Sequence, residues 1–564
     1  MEKILKTRFG LKEFRKGQKE IIQSVLKCKD TLAVMPTGGG KSLCYQLPAI
    51  IMPGTAIVIS PLIALMKDQV DQLIMREIPA AFINSSQNQD EIQEIFIHAR
   101  QGGYKIIYVA PERLASRQFI ELLQDINLSF IAVDEAHCIS EWGHDFRPAY
   151  LKVNNIFTLI ERVPIIALTA TATPDVRQDI IKQLKLQSPD VYIRGFDRNN
   201  LRYNCIHSKD KLSKLVNIYR SMNLGSMIVY AGSRNRTIEF STGLQKLNVP
   251  AEFYHGGMKS VQRESVQERF ISGQTKVIVA TNAFGMGIDK ADVRHVVHVD
   301  LPQTVEAYYQ EAGRAGRDGL DAECTLIYHP EDLKLQDFFI QSTYPPKREI
   351  SKFVSKVELY NEKISDNRSG FNIIPEAADI ANYSGMPLTI VNAIIGFLTR
   401  LEIIKPGNSF GESQIRFTRS REQIREYYET TTDERREVLD AILRSVGSEA
   451  FTTFCELSIA QLTNRHYINP AILGKAISAF QFAGIIDFRG THAETRYYLD
   501  KTLLKNDNFD VEVKHLERRR IHASEKLKAM QLYAETLRCK RHYILSYFAD
   551  QDVAEKCGNC SSCG

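Results

Sequence analysis

Short apolar runs and longer stretches of mixed polarity alternate along the first part of the chain. Residues 31–35, 56–60, 106–110, 130–134 and 165–169 are compact and apolar and give way to small or polar residues, while intervening stretches such as 87–101 look helical. That alternation predicts strands of a parallel sheet joined by crossover helices. It recurs from about residue 226 to 328, with strands near 227–230, 277–280, 296–299 and 324–328. The expected fold class is α/β, with two tandem parallel-sheet lobes over residues 1–200 and 201–344.

Pro345-Pro346 ends that rhythm, and helices with short extended pieces take over. The new region contains an internal repeat. Pro387 is followed by Ala393-Ile394, Phe397 and Ile403-Ile404; Pro470 is followed, at the same initial spacing, by Ala476-Ile477, Phe480 and Ile485-Ile486. Val391, Ile394, Ile395 and Leu398 make one helical stripe. Each copy then runs through extended residues into a polar Gly-containing loop (407–411 and 490–492) and a second extended segment (414–418 and 496–499). Helix, strand, loop, strand is the order of a winged helix. Winged-helix-like regions are therefore expected over 345–430 and 431–510, the alternative being two unrelated helical hairpins. Residues 511–564 read as a basic helix followed by a cysteine cluster.

Composition adds limits. At roughly 150 residues per domain, a chain this long makes three or four domains. An apolar fraction of 44% and a charged fraction of 25% are those of a soluble globular protein. The net charge of +5 says little about partners, but residues 511–545 alone carry nine Lys/Arg against four Glu. Such a stretch suits a phosphate backbone or, equally, a solvated helix face. No run of about 18 apolar residues predicts a membrane span. The opening Met1-Glu2-Lys3-Ile4-Leu5-Lys6 lacks a signal-peptide core, so a cytoplasmic, nucleoid-associated location with no membrane partner is expected. Cys28, Cys44, Cys138, Cys205, Cys324 and Cys455 stand alone and read as reduced thiols.

Three segments carry candidate chemistry. Met35-Pro36-Thr37-Gly38-Gly39-Gly40-Lys41-Ser42 follows a predicted strand and opens a helix. Its glycines let backbone N–H groups turn toward phosphate oxygens, Lys41 reaches the terminal phosphates, and the Ser42 hydroxyl ligates Mg²⁺. Met35 stands where the strict pattern has Gly, but Gly38, Gly39 and Gly40 still form the nest. Residues 131–134 are a strand closing on Asp134 and Glu135. Asp134 is placed to hold Mg²⁺ and Glu135 to orient or deprotonate the attacking water. His137 would contact the far lobe or the Thr169 segment. In the second lobe, Gln310-Glu311-Ala312-Gly313-Arg314-Ala315-Gly316-Arg317 places two arginines three apart on one helix face. One of them, Arg317 rather than Arg314, is expected to neutralise developing γ-phosphate charge. ATP and Mg²⁺ are thus implied as ligands.

With these segments in view, the chain resembles the RecQ family of superfamily 2 helicases, whose two lobes are RecA-like. Phe9-Gly10, Phe14-Arg15 and Gln18 match motif 0, in which the Gln reads the adenine edge. Residues 60–69, opening on Ser60, match motif Ia, and Ala110-Pro111-Glu112-Arg113 the Ib region. Leu168-Thr169-Ala170-Thr171-Ala172 matches motif III, and 280–290, with Gly287 and Asp289, motif V. Tyr254-His255-Gly256-Gly257-Met258 is also family-like. The resemblance runs from about residue 9 to 320. It implies nucleotide contacts from Phe9, Arg15, Gln18, Thr37, Gly287 and Asp289, a DNA contact from Ser60, and coupling through His137, Thr169, Thr171 and Gln310.

Ser140-Glu141-Trp142-Gly143-His144-Asp145-Phe146-Arg147-Pro148 holds the single tryptophan of the chain. Trp142 and Phe146 beside Arg147 suit a stacking platform with a phosphate clamp for single-stranded DNA, against the alternative of a buried structural Trp. The resemblance favours the platform, since the family carries such an aromatic-rich loop.

Cys539, Cys557, Cys560 and Cys563 have the spacing C-x17-C-x2-C-x2-C. Three thiols at two-residue gaps can wrap one face of a metal and a fourth can close the tetrahedron, which reads as structural Zn²⁺, with an Fe–S cluster as the remote alternative. The segment resembles the family's zinc module. Its position departs from the family, which places that module directly after the second lobe and the winged helix after it; here residues 345–538 intervene.

The expected activity is an ATP-dependent DNA helicase, moving on single-stranded DNA and unwinding duplex or forked DNA in repair or recombination. The 3′-to-5′ direction is implied by the resemblance alone. A single-stranded-DNA-binding protein is the candidate protein partner. The residues leave three alternatives open: a DNA-stimulated ATPase that remodels or anneals strands, an RNA-directed ATPase, and a non-catalytic winged-helix regulator.

Overall fold

The computed structural model describes residues 1–61, 63–84, 87–143, 145–193, 196–222, 224–285, 290–364, 372–374, 377–406, 413–457, 462, 470–489, 497–500, 503–550 and 554–564. Leu62, His144, Gly287 and Asp289, and the loops 407–411 and 490–492, lie outside them. The chain divides into two compact units, Met1–Phe339 with Ile521–Gly564, and Ile340–Arg520.

The first unit contains two all-parallel sheets. The first is built from β1 (Thr31–Val34), β2 (Thr55–Ile59), β3 (Ala80–Ile83), β4 (Ile106–Val109), β5 (Leu128–Val133), β6 (Ile165–Thr169) and β7 (Asp190–Ile193). Their order is β3-β4-β2-β5-β6-β1-β7. All five strands expected from apolar runs are present. The two additional ones, β3 and β7, lie at the edges; β7 is only partly buried, so it had no need of an apolar run. Because the strands are parallel, the residues following β1, β5 and β6 emerge at one edge of the sheet, where ligands of open α/β folds bind.

The expected helix at 87–101 is Gln89–Arg100. Its start is fixed by a capping box. The Asn88 side chain accepts the Glu91 N–H, and the Glu91 carboxylate accepts the Asn88 N–H, so two otherwise orphaned amides are satisfied. Ile92, Phe96 and Ala99 form its buried stripe.

The second sheet contains β8 (Leu201–His207), β9 (Ser226–Tyr230), β10 (Ala251–Tyr254), β11 (Val277–Ala280), β12 (Val293–His298) and β13 (Ala322–Tyr328). Their order is β10-β11-β9-β12-β13-β8. Here too the edge strands, β8 and β10, are those the apolar pattern did not announce.

The chain's last segment belongs to this same unit and lies along β8. The Ser561 N–H donates to the Tyr203 carbonyl (3.1 Å), and the Ser561 hydroxyl accepts the Cys205 N–H (3.1 Å). Arg541, almost fully buried, donates to Asp197 (2.9 Å) and Asn199 (3.1 Å). The cysteine module is thus last in sequence yet packs beside the first strand of the second lobe. The displaced position is an insertion: the chain leaves this unit at Phe339, forms the second unit, and re-enters at Ile521.

The second unit corrects the tandem reading of the repeat. The helices Leu388–Arg400 and Pro470–Phe482 are present at the repeated positions. The strands that follow them, β15 (Ile404–Pro406) with β16 (Ser413–Phe417) and β18 (Ile486–Arg489) with β19 (Tyr497–Leu499), do not pair as two hairpins. Instead β15 pairs with β19 and β16 with β18, both antiparallel. With β14 (Asn372–Ile374) and β17 (Cys455–Leu457) they make two three-stranded sheets, β14-β19-β15 and β17-β16-β18. The apolar clusters follow the same division. One joins Phe353, Ile394 and Leu398 to Leu499, Val513 and Leu516; the other holds Ile415, Ile424, Leu439, Phe480 and Phe488. The second module is therefore set between two paired strands of the first, β15 and β19, and the expected boundary at 430/431 falls within one core. Alternation of apolar residues identifies a strand but not its partner, so the pairing could not be read locally. Among the described residues, no helix is long and apolar enough to cross a membrane.

Candidate nucleotide cleft and zinc site

The glycine-rich turn after β1 is tied down at its start by the Met35 N–H donating to the Thr169 carbonyl of β6 (3.0 Å). Gly38 and Gly40 adopt φ of 75° and 77°, a region that only glycine enters cheaply, so the turn needs these residues. Lys41 and Ser42 follow, with Ser42 at the N-terminal boundary of the helix Leu43–Ile51.

This turn and the arginine segment of the second lobe line one cleft of about 470 Å³. Arg15, Thr37, Gly38, Gly40, Lys41, Ser42, Asp134 and Glu135 form one wall, and Gly285, Gln310, Arg314 and Arg317 the other. The Thr37 hydroxyl donates to the Gly313 carbonyl (3.2 Å), joining the two walls directly. The two arginines differ in surroundings. Arg314 is buried and donates to the Gly285 carbonyl, which anchors the segment after β11. Arg317 passes close to Gly38: its Cγ lies 3.8 Å from where a Cβ on that residue would stand.

Asp134 is 6% exposed. Burial, with Glu135 beside it, raises its carboxyl well above the usual carboxylate range, and Lys41 opposes that shift. A divalent cation bound there would reverse the balance and keep it ionised. Asp134 Oδ1 accepts the Glu135 N–H (3.0 Å), and its carbonyl accepts the Tyr150 hydroxyl (3.0 Å). Glu135 itself sits at φ 47°, a left-handed conformation that costs free energy at a non-glycine residue and is held by its surroundings. Its carboxylate is 3.3 Å from His137 Nδ1, which lies 2.8 Å from the Thr169 hydroxyl; that hydroxyl in turn accepts the Thr171 N–H (3.3 Å). Of the two contacts expected of His137, the one with the Thr169 segment is made.

Several of the expected contact residues have partners within the protein. Gln18 is 2% exposed; its amide nitrogen donates to the carbonyls of Gly40 (3.1 Å) and Gly39 (3.3 Å), and its oxygen accepts the Arg15 N–H (2.8 Å). It thus ties the phosphate turn to the Arg15 segment. Phe9 packs against apolar side chains under the cation of Arg76. Ser60, directly after β2, is 1% exposed. Arg147 is paired with Asp145 (3.0 Å) and donates to the Pro61 carbonyl (3.0 Å), which fixes the aromatic loop to the chain after β2. Trp142 and Phe146 are partly exposed.

Sequence reasoning missed Arg198 and Asn200. Arg198 donates to the carbonyls of Gly313 (2.7 Å) and Gly316 (2.6 Å), and Asn200 to that of Gly316 (2.9 Å), so both shape the arginine turn. The available signal was the polar run Asp197-Arg198-Asn199-Asn200 just before β8.

The ligand atoms of Cys539, Cys557, Cys560 and Cys563 lie within 4.8 Å of one another. The Cys539 and Cys560 sulfurs are 3.8 Å apart. Tetrahedral zinc with thiolate bonds of about 2.3 Å needs sulfur separations near 3.8 Å. The donor set and spacing fit a structural Zn²⁺, which would be held by these four thiolates and leave no open position for chemistry. Cys560→Ser is expected to bring bound zinc, read by atomic absorption, to background and to lower Tm, at about 2–4 °C per kcal/mol lost. Full zinc retention would remove Cys560 from the ligand set.

A phosphate turn on one parallel sheet, facing paired arginines on a second across one cleft, defines the two-lobed superfamily 2 class. Comparison with known proteins agrees. A DEAD/DEAH box helicase model matches residues 15–180, a helicase conserved C-terminal domain model 210–319, and a RecQ zinc-binding model 496–564. The chain is 47% identical over 338 residues to ATP-dependent DNA helicase RecQ of Bacillus subtilis (strain 168), covering 59% of this chain and 57% of the relative. It is 42% identical over 360 residues to the probable ATP-dependent DNA helicase RecS of the same organism, covering 63% and 72%. It is also 43% identical over 344 residues to the RecQ-like DNA helicase BLM of Xenopus laevis, covering 59% and 25%. The chain belongs to the RecQ family. It spans a little over half the length of several curated relatives, between 55% and 58%.

Proposed function

We propose that this chain is an ATP-dependent DNA helicase that moves 3′-to-5′ on single-stranded DNA and opens duplex or forked DNA in repair or recombination. The observation that carries this reading is the shared cleft, with Lys41, Asp134 and Glu135 on one wall and Arg314 and Arg317 on the other. Lys41 and the turn amides grip the triphosphate; Ser42 and Asp134 hold Mg²⁺, which when bound neutralises phosphate charge. Glu135 orients the attacking water and takes its proton, with His137 linking that carboxylate to Thr169 and Thr171. Arg317 meets the γ-phosphate, while Arg314 holds the segment that carries it. Closure and reopening of the cleft then shift the grip of each lobe along one strand.

Residues 1–200 and 201–344 are read as the two motor lobes, the second unit as a nested pair of winged-helix modules that meets duplex DNA, and residues 511–564 as basic helix and zinc module. A cytoplasmic, nucleoid-associated location and a single-stranded-DNA-binding protein as partner complete the reading.

The test compares ATP turnover without nucleic acid, with single-stranded DNA and with RNA, and follows strand release from a forked duplex. Stimulation by DNA together with release supports the proposal; stimulation by RNA alone, or none, overturns it. In the same assay Trp142→Ala is expected to bring turnover with DNA down to the level seen without it, because base–aromatic stacking contributes about 1–3 kcal/mol per base. Unchanged stimulation would show that Trp142 is not the DNA platform.

A further inference from the structure

The aromatic loop of the first lobe is gripped by a residue that no motif announces. Within the helix Asp507–Glu535, Lys526 is buried, with 8% of its side chain exposed. Its ammonium donates to the Trp142 carbonyl (2.6 Å) and pairs with the Glu306 carboxylate (2.7 Å), whose side chain is 2% exposed. One turn earlier, His522 packs edge-on against the Trp142 ring at a centroid distance of 5.0 Å. Glu306 also accepts the hydroxyl of Tyr547 (3.0 Å), from the helix Lys540–Tyr547 of the zinc module.

The identity of the helix carrying Glu306 gives this bridge its meaning. It is Val305–Ala312, which also carries Gln310 and leads directly into Gly313, Arg314 and Arg317. One ammonium therefore joins the loop expected to meet DNA to the element that delivers the arginines. A buried ammonium needs its partners, because an unpaired buried charge is strongly unfavourable. Lys526 cannot release Glu306 or the Trp142 carbonyl cheaply, so displacement at one end is felt at the other.

We propose that Lys526 is a positioning residue that couples the Trp142 loop, through Glu306, to the second-lobe helix that leads into the arginine turn. The coupling rests on reading the chain as a DNA-stimulated ATPase, but the physical link itself can be tested apart from turnover. Trp142 is the sole tryptophan beside 23 tyrosines, so emission excited selectively at tryptophan reports on this loop alone.

The experiment uses the full chain in four forms: wild type, Lys526→Met, Lys526→Arg, and the double variant Lys526→Met with Glu306→Gln. The double variant leaves no stranded carboxylate and guards against misfolding of the single one. Trp142 emission and anisotropy are recorded with and without a non-hydrolysable ATP analogue, and ATP turnover with and without single-stranded DNA. In wild type, the analogue is expected to shift Trp142 emission. In the double variant that response is lost and anisotropy falls, while turnover without DNA is unchanged and stimulation by DNA drops about 5- to 150-fold, the usual span of a coupling between sites. Lys526→Arg restores the nucleotide response. A double variant that keeps both the wild-type Trp142 response and the wild-type stimulation overturns the proposal. A wild-type protein whose Trp142 answers the analogue, but whose turnover ignores DNA, overturns the helicase reading and leaves the bridge intact.

Discussion

Lys41→Ala and Glu135→Ala are each expected to abolish measurable ATP hydrolysis, and for different reasons. Lys41 stands in the glycine turn whose Gly38 and Gly40 are already bent into the left-handed region, so the turn keeps its shape when the ammonium is removed. What is lost is a fixed positive charge preorganised to face the phosphates, which stabilises developing charge without reorganisation. Affinity for ATP should fall together with turnover. Glu135→Ala removes the base but keeps a β-carbon at the same left-handed backbone position, so the backbone is not relieved and the loss is that of the carboxylate; tight nucleotide binding is expected with turnover reduced by about 10²- to 10⁴-fold. Equilibrium binding of a fluorescent ATP analogue, measured beside phosphate release, separates the two variants. Substantial DNA-stimulated turnover in either would refute the assignment of this cleft.

Arg317→Ala is expected to lower kcat by about 10³- to 10⁵-fold with nucleotide binding largely retained, since an arginine that meets the γ-phosphate acts mainly on the transition state. The side chain passes Gly38, whereas Arg314 is already engaged with the Gly285 carbonyl. Arg314→Ala should therefore act through the shape of the segment, raising KM as well as lowering kcat. Arg317→Lys should not restore the rate, because a point charge does not reproduce a planar fork. Steady-state kinetics at saturating single-stranded DNA decide the matter; an Arg314 variant with the purer kcat defect would exchange the two roles.

Much of the cleft was legible because its signals are local. Three consecutive glycines before a lysine, and two acids at the end of an apolar run, each require a particular backbone or charge within a few residues. Buried parallel strands were equally plain, since β1, β5 and β6 must be apolar on both faces. What stayed hidden depends on separations that no window spans. Nothing around Lys526 points to Glu306, 220 residues earlier, or to Trp142, and nothing in β16 names β18 as its partner. Gln18, Ser60 and Phe9 carry the right residue types, but burial decides whether such side chains meet a ligand or a neighbour, and burial is a tertiary property.

The docking of the zinc module has a further effect on the second sheet. β8 is an outermost strand, paired on one side only with β13. Its other side is occupied by the module, through Ser561 on Tyr203 and Cys205 and through Arg541 beyond its start. An uncovered strand edge is a template for aggregation. Loss of the metal-holding fold of the four cysteines would uncover that edge, so removal of zinc by a chelator is expected to promote self-association of the chain as well as to loosen the module.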